Sequence, residues 1–107
     1  MKYILVVSFI IGCTSSQRCY KGFDKINDEY FLVLNSNNTF EMSVLSKFHN
    51  ESNLFEINGL FNETDSTIVL DKYFDEKSVE FKKVGKKKIE IKFLYEVIQL
   101  KQIRYSN

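Results

Sequence analysis

Two hydrophobic patterns divide the chain. Near the N-terminus an apolar run, Tyr3–Ile11, follows one cation at Lys2 and ends in Gly12 and Cys13. It is too short to cross a bilayer as a helix, which takes about 20 apolar residues. From Glu29 onward the pattern becomes a two-residue alternation, the period of strands with one face buried. Tyr30–Leu34 is a short apolar run closed by the turn-forming cluster Asn35-Ser36-Asn37-Asn38. Phe40, Met42 and Val44 alternate with Glu41 and Ser43, and a change of phase at Leu45 predicts a bulge or bend. Phe55, Ile57, Gly59 and Phe61 repeat the alternation, and Asn62–Asp65 predicts a turn. Thr67–Leu70 is a compact strand. Asp71–Lys77 reads as a loop. Val79 and Phe81 then lead to a hairpin turn at Gly85-Lys86-Lys87. Ile89, Ile91 and Phe93 alternate with Glu90 and Lys92, and Val97–Ile103 forms the last strand, with Ile98 and Leu100 on one face.

This is about seven short strands at roughly ten-residue spacing, the signature of an antiparallel sandwich or barrel. There is no proline, and 10 of the side chains are phenylalanine. An open sheet this apolar would expose one face and two edges, whereas closure buries the face and removes the edges. The expected fold is therefore all-β, a small antiparallel meander closing into a barrel of about 6–8 strands. Phe40, Phe55, Phe61, Phe81 and Phe93 share the inner phase, where they fill a core or line a small apolar cavity. The stretch from Thr14 to Asp28 is polar, with no sustained period, and reads as a tether. Fully extended, it reaches at most about 50 Å. The organisation expected is a signal over residues 1–12, a tether over 13–28 and a barrel over 29–107.

The first thirteen residues have the form of a secretory signal, with a basic start, a short apolar run and a small residue before the cut. Ile10-Ile11-Gly12-Cys13 resembles the lipobox of bacterial lipoproteins. That resemblance implies cleavage after Gly12 and a diacylglycerol on the Cys13 sulfur. With Thr14 rather than aspartate next, it implies the outer membrane. Two or more acyl chains hold a protein stably on a membrane, where one does not. The alternative is an ordinary secretory signal that leaves Cys13 to pair with Cys19.

The body, over Glu29–Ile103, resembles small lipocalin-like envelope lipoproteins and the N-terminal barrel of copper-resistance lipoproteins. The residues that carry the likeness are Leu34–Phe40 (LNSNNTF), Gly59-Leu60-Phe61 and Ser66–Leu70 (STIVL). Members linked to copper carry a Cys-x-x-Cys pair, which this chain lacks, so the resemblance implies barrel and envelope rather than metal sensing.

Charge and chemistry narrow the function. Lys and Arg total 15 and Asp and Glu 14, and a balance so even argues against nucleic acid as a partner. His49 is the only histidine, too few for a zinc site, so neither metal nor cofactor is expected. If Cys13 is acylated, Cys19 is an unpaired thiol beside the tether. No Gly-x-Ser-x-Gly elbow is present. Asp71, Asp75, Glu76 and Glu80 supply carboxylates, yet no pair is singled out as acid and base. No enzyme is expected. Lys82, Lys83, Lys86, Lys87 and Lys88 form the strongest charge cluster, a candidate contact for anionic headgroups or an acidic partner, or else a solvated hairpin. The expectation is a non-enzymatic binding or sensing module tethered to the bacterial envelope, meeting an envelope protein or a small apolar ligand. The alternative is a structural accessory docking onto an outer-membrane complex without a ligand cavity.

Overall fold

The structure, a computed structural model, describes residues 16–48, 51–74, 77–92 and 96–103. Within them eight strands follow in order: β1 (Arg18–Phe23), β2 (Glu29–Leu34), β3 (Thr39–Phe48), β4 (Glu51–Glu63), β5 (Thr67–Phe74), β6 (Lys77–Gly85), β7 (Lys88–Lys92) and β8 (Val97–Ile103). Each pairs antiparallel with the next, and β8 returns to β1, so the sheet closes into a barrel. This is the small antiparallel barrel expected from the alternation.

The barrel begins earlier than the sequence pattern indicated. Arg18–Phe23, assigned above to the tether, is a full strand paired with both β2 and β8. Its inward positions are Arg18, Tyr20 and Gly22, a cation, a phenol and a glycine, so no apolar alternation marks it. Gly22 is required by the closure itself. A Cβ there would stand 2.2 Å from the Gln99 carbonyl oxygen and 2.6 Å from Leu100 Cδ2.

The interior is filled by one cluster drawn from every strand. Leu32, Leu34, Phe40, Met42, Phe61, Ile68, Leu70, Phe81, Ile89, Ile98 and Leu100 are all buried there. Gly59 makes room for a ring. Its absent Cβ would lie 3.1 Å from Phe40 Cε1. Phe40, Phe61 and Phe81 thus occupy the core as expected, whereas Phe93 lies outside the described residues.

A second, smaller cluster lies on the outside of β1 and β2, where Cys19, Phe31 and Val33 are buried with half-buried Ile103 against them. This explains the continuous apolar run in β2, which buries both faces: Leu32 and Leu34 inward, Phe31 and Val33 outward.

Two expectations about irregularity are corrected. No bulge occurs at Leu45: the register of β3 with β2 and with β4 runs through it unbroken. Leu45 simply faces outward and is buried there. The irregularity falls in the segment read as a loop, because β5 continues to Phe74 with a register shift against β6 between Leu70 and Phe74. The shift breaks the alternation and hides the strand.

Turn chemistry follows the sequence more closely. Asn38, in the β2–β3 turn, has φ 66°, a conformation that Asn tolerates. Asn27, in the β1–β2 turn, has the same φ. There Asp24 Oδ1 accepts from the Ile26 and Asp28 backbone N–H groups at 3.0 and 2.9 Å. The Gly85 hairpin is also present, with Gly85 opposite Lys88 and a register shift back to Lys83. Neither Lys86 nor Lys87 has a positive φ. The turn therefore lacks the twist of the primed hairpin types, and the shift takes up the mismatch.

Candidate functional site

Strand direction gives the barrel two ends of different chemistry. At one end lie the start of β1, the β2–β3, β4–β5 and β6–β7 turns and the last residue of β8. Three charged side chains reach inward there. Arg18 is paired in register with Leu34, Glu63 with Ile68, and Lys83 with Ile89, and each of those partners belongs to the core. Arg18, Glu63 and Lys83 also lie two residues beyond Tyr20, Phe61 and Phe81 on the same inward face, and so stand one layer above those core rings.

They neutralise one another across the opening. Arg18 Nη1 and Nη2 donate to Glu63 Oε2 and Oε1 at 2.8 and 2.6 Å. Lys83 Nζ lies 2.7 Å from Glu63 Oε2 and donates to the Thr64 carbonyl oxygen at 2.7 Å. The Arg18 hydrogen bonds, with help from Lys83, pull the Glu63 carboxyl down to about 2. The same bonds raise the Arg18 pKa above its ordinary value. The surrounding depression is polar, bordered by Asn35, Ser36, Asn38 and Asn62. All three charges are engaged with each other, so this end works as a lid over the core.

The opposite end is apolar. The inward phase there holds Tyr30, Val44, Phe55, Ile57 and Val79. Val44 is opposite both Tyr30 and Phe55, Met42 is opposite Ile57, and Leu70 is opposite Val79. Tyr30, Ile57 and Val79 are half-buried and pack against the core cluster, Val44 is half-buried, and Phe55 is 53% exposed. Pairing explains this. β4 is bonded to β5 only over Phe61–Glu63, and β3 to β2 only as far as Leu45, while β3 and β4 pair with each other out to Phe48 and Glu51. The β3–β4 hairpin thus projects beyond the rim and carries Phe55 out of the core for which its phase marked it. The Tyr30 hydroxyl donates to Asp24 Oδ2 at 3.0 Å and is held at the rim. Outside the same rim, Phe23, Ile26 and Val97 are also exposed.

The lysines of the expected cluster separate. Lys83 is in the lid, tied to Glu63, and is not part of an outward basic patch. Lys82 is exposed on the outer face, opposite Thr67 and Glu90. Lys86 and Lys87 are exposed in the turn, which is held to β8 by the Gln102 N–H donating to the Lys87 carbonyl at 2.7 Å. Lys88 is half-buried and begins a row that linear sequence does not reveal: it is opposite Lys101, which is opposite Lys21. Lys21 is taken up by Glu29 at 3.0 Å. Among the described residues neither Lys88 nor Lys101 has an ion-pair partner.

Gly12, Cys13, His49, Asp75 and Glu76 lie outside the described residues. Cys19, expected as an unpaired thiol under the lipobox reading, is disulfide-bonded. The chain holds one other cysteine, Cys13. Among the described residues no three His, Cys, Asp or Glu side chains group as metal ligands. No protein-family model, curated protein or solved structure matches the chain.

Proposed function

We propose that this barrel is a non-enzymatic binding module of the bacterial envelope, which takes a small apolar ligand at its apolar end. The observation that carries the reading is the contrast between the two ends. Five inward-phase apolar side chains are left partly exposed at one end, while a complete ion-pair lid covers the core at the other. Apolar side chains on the inner wall of a barrel mouth favour a ligand that removes them from water, at about 25 cal/mol per Å² buried. A lipid anchor at Cys13 is what the lipobox resemblance of residues 10–13 implies. The disulfide at Cys19 argues for the competing N-terminal reading, plain secretion, because one sulfur cannot hold both a disulfide and a diacylglycerol. The ligand reading is the same for both.

The test is a titration of the chain from Thr14 with the neutral probe 1-N-phenylnaphthylamine. The expected result is saturable binding at one site, weakened about tenfold or more by Phe55→Asp, the equivalent of losing most of one buried aromatic side chain. Absence of saturation, or equal binding by the variant, overturns the ligand reading. The docking-accessory reading, for which Phe23, Ile26 and Val97 outside the same rim are the observation, would then stand.

A further inference from the structure

The position of the charges relative to the N-terminus fixes how such a barrel would lie on its membrane. Arg18 begins β1 at the lidded end, so the described chain enters the barrel there. Five residue steps separate Cys13 from Arg18, a reach of about 18 Å at full extension. The N-terminal segment therefore meets the barrel at its lidded end, with the apolar end on the far side of the barrel. Three exposed lysines, Lys86, Lys87 and Lys101, and half-buried Lys88 stand at this same end. Lys86 and Lys87 form the β6–β7 turn, and Lys88 and Lys101 stand opposite each other one step along β7 and β8.

Two like charges directly opposite on one sheet face repel and cost stability. Neither Lys88 nor Lys101 has a carboxylate partner among the described residues. At this end Glu63 is occupied by Arg18 and Lys83. Asp65, in the β4–β5 turn, and Glu41, on β3, belong to other strands of the barrel, while Glu90, two residues from Lys88 on the outer face of β7, lies opposite Lys82 and accepts from the Gln99 amide at 3.2 Å. With Lys82, Lys86, Lys87, Lys88 and Lys101 against Glu90, the turn end of the β6–β7–β8 side is net basic, and an external anionic surface would relieve the repulsion between Lys88 and Lys101. Each lysine brought to an anionic bilayer surface adds to binding, and the effect fades within a Debye length.

We infer that the barrel rests on an anionic lipid surface through Lys86, Lys87, Lys88 and Lys101, with its apolar mouth directed away from the bilayer. The contact and the orientation both stand on the position of these lysines at the lidded end. A protein anchored this way presents its ligand site to the aqueous compartment rather than to the lipid that holds it.

The experiment uses the chain from Thr14, which contains all eight strands and the whole interior cluster but no Cys13. Its fold is checked by circular dichroism. Cosedimentation is measured with vesicles of phosphatidylglycerol and phosphatidylcholine, against vesicles of phosphatidylcholine alone. Binding is expected only to the anionic vesicles, with loss at about 0.5 M salt, where the Debye length falls to a few ångström. The folded variant K86E/K87E/K101E is expected to bind more than tenfold more weakly, whereas K92E, at the apolar end of β7, is expected to bind as wild type. Equal binding to both vesicle types, or a triple variant that binds like wild type, overturns the lipid contact.

Discussion

Arg18 on β1 clasps Glu63 on β4 through two hydrogen bonds of 2.8 and 2.6 Å, although two other strands separate β1 from β4 in the sheet. The bond therefore ties opposite walls of the barrel rather than neighbours. Its pH dependence is determined by the Glu63 carboxyl, lowered from 4.5 to about 2. A carboxyl with a depressed folded pKa binds its proton more tightly when unfolded, so folding stability rises with pH across that window. The contribution is complete above about 4.5 and is lost as pH falls toward about 2. Denaturant unfolding of wild type and Glu63→Gln between those limits is expected to converge as the pH drops. A difference that stays constant with pH would mean that the clasp does not form in solution.

At neutral pH, Arg18→Ala is expected to cost about 1 kcal/mol. That is the upper end for a part-exposed ion pair, because the contact is bidentate. Glu63→Gln should cost more than Arg18→Ala, because it leaves Arg18 and Lys83 facing each other without the anion between them. Urea midpoints at constant slope report both values.

Gly22→Ala is the sharpest test of closure. The added methyl would meet the Gln99 carbonyl oxygen at 2.2 Å, a backbone atom that cannot swing aside as a side chain can. The β1–β8 seam must open to admit it. A loss of about 1–3 kcal/mol is expected, the usual cost of overpacking. Faster hydrogen exchange should be confined to the amides that join β1 to β8. Unchanged protection along that seam would mean that the barrel is not closed there.

Why β1 was illegible, and β7 and β8 were not, follows from their inward residues. Ile89 and Ile91 on β7, and Ile98 and Leu100 on β8, alternate with polar side chains, so the two-residue period is plain. β1 presents Arg18, Tyr20 and Gly22 inward, selected for a clasp and a close approach rather than for burial of aliphatic surface. Phe55 shows the opposite failure. Its phase was read correctly, but phase cannot say where a hairpin outruns its neighbours. The candidate site was half legible. The turn lysines were visible as a run, yet Lys83 left them for the lid because it lies two residues from Phe81 on the inward face. Lys101 joined them only through strand register. The clasp had no signal in the sequence, since its partners are 45 positions apart.

Lys101→Glu should separate stability from membrane contact. The substitution puts a carboxylate opposite Lys88, and also opposite Lys21, in place of a like charge. Cross-strand opposite charges contribute roughly 0.2–1 kcal/mol, and like charges oppose folding by a similar amount. The single variant is therefore expected to be more stable than wild type and to bind anionic vesicles less well. A wild-type sequence that retains the less stable arrangement is accounted for if the basic row serves a contact outside the fold. A variant that is both less stable and equally bound would show that the row contributes to neither.

The Cys19 sulfur decides between the two readings of the N-terminus, and a count of thiols is enough to settle it. The side chain is 0% exposed. Buried and disulfide-bonded, it should resist alkylation in the folded protein. A diacylglycerol on Cys13 removes the only intramolecular partner for Cys19, so envelope-purified protein denatured without reductant should take up one equivalent of iodoacetamide. A Cys13–Cys19 disulfide would give none until a reductant is added. Tethering predicts the first result together with an N-terminal peptide heavier by its acyl chains. If alkylation requires prior reduction, the lipid is excluded by the chemistry of that one sulfur, and the protein is secreted without an anchor.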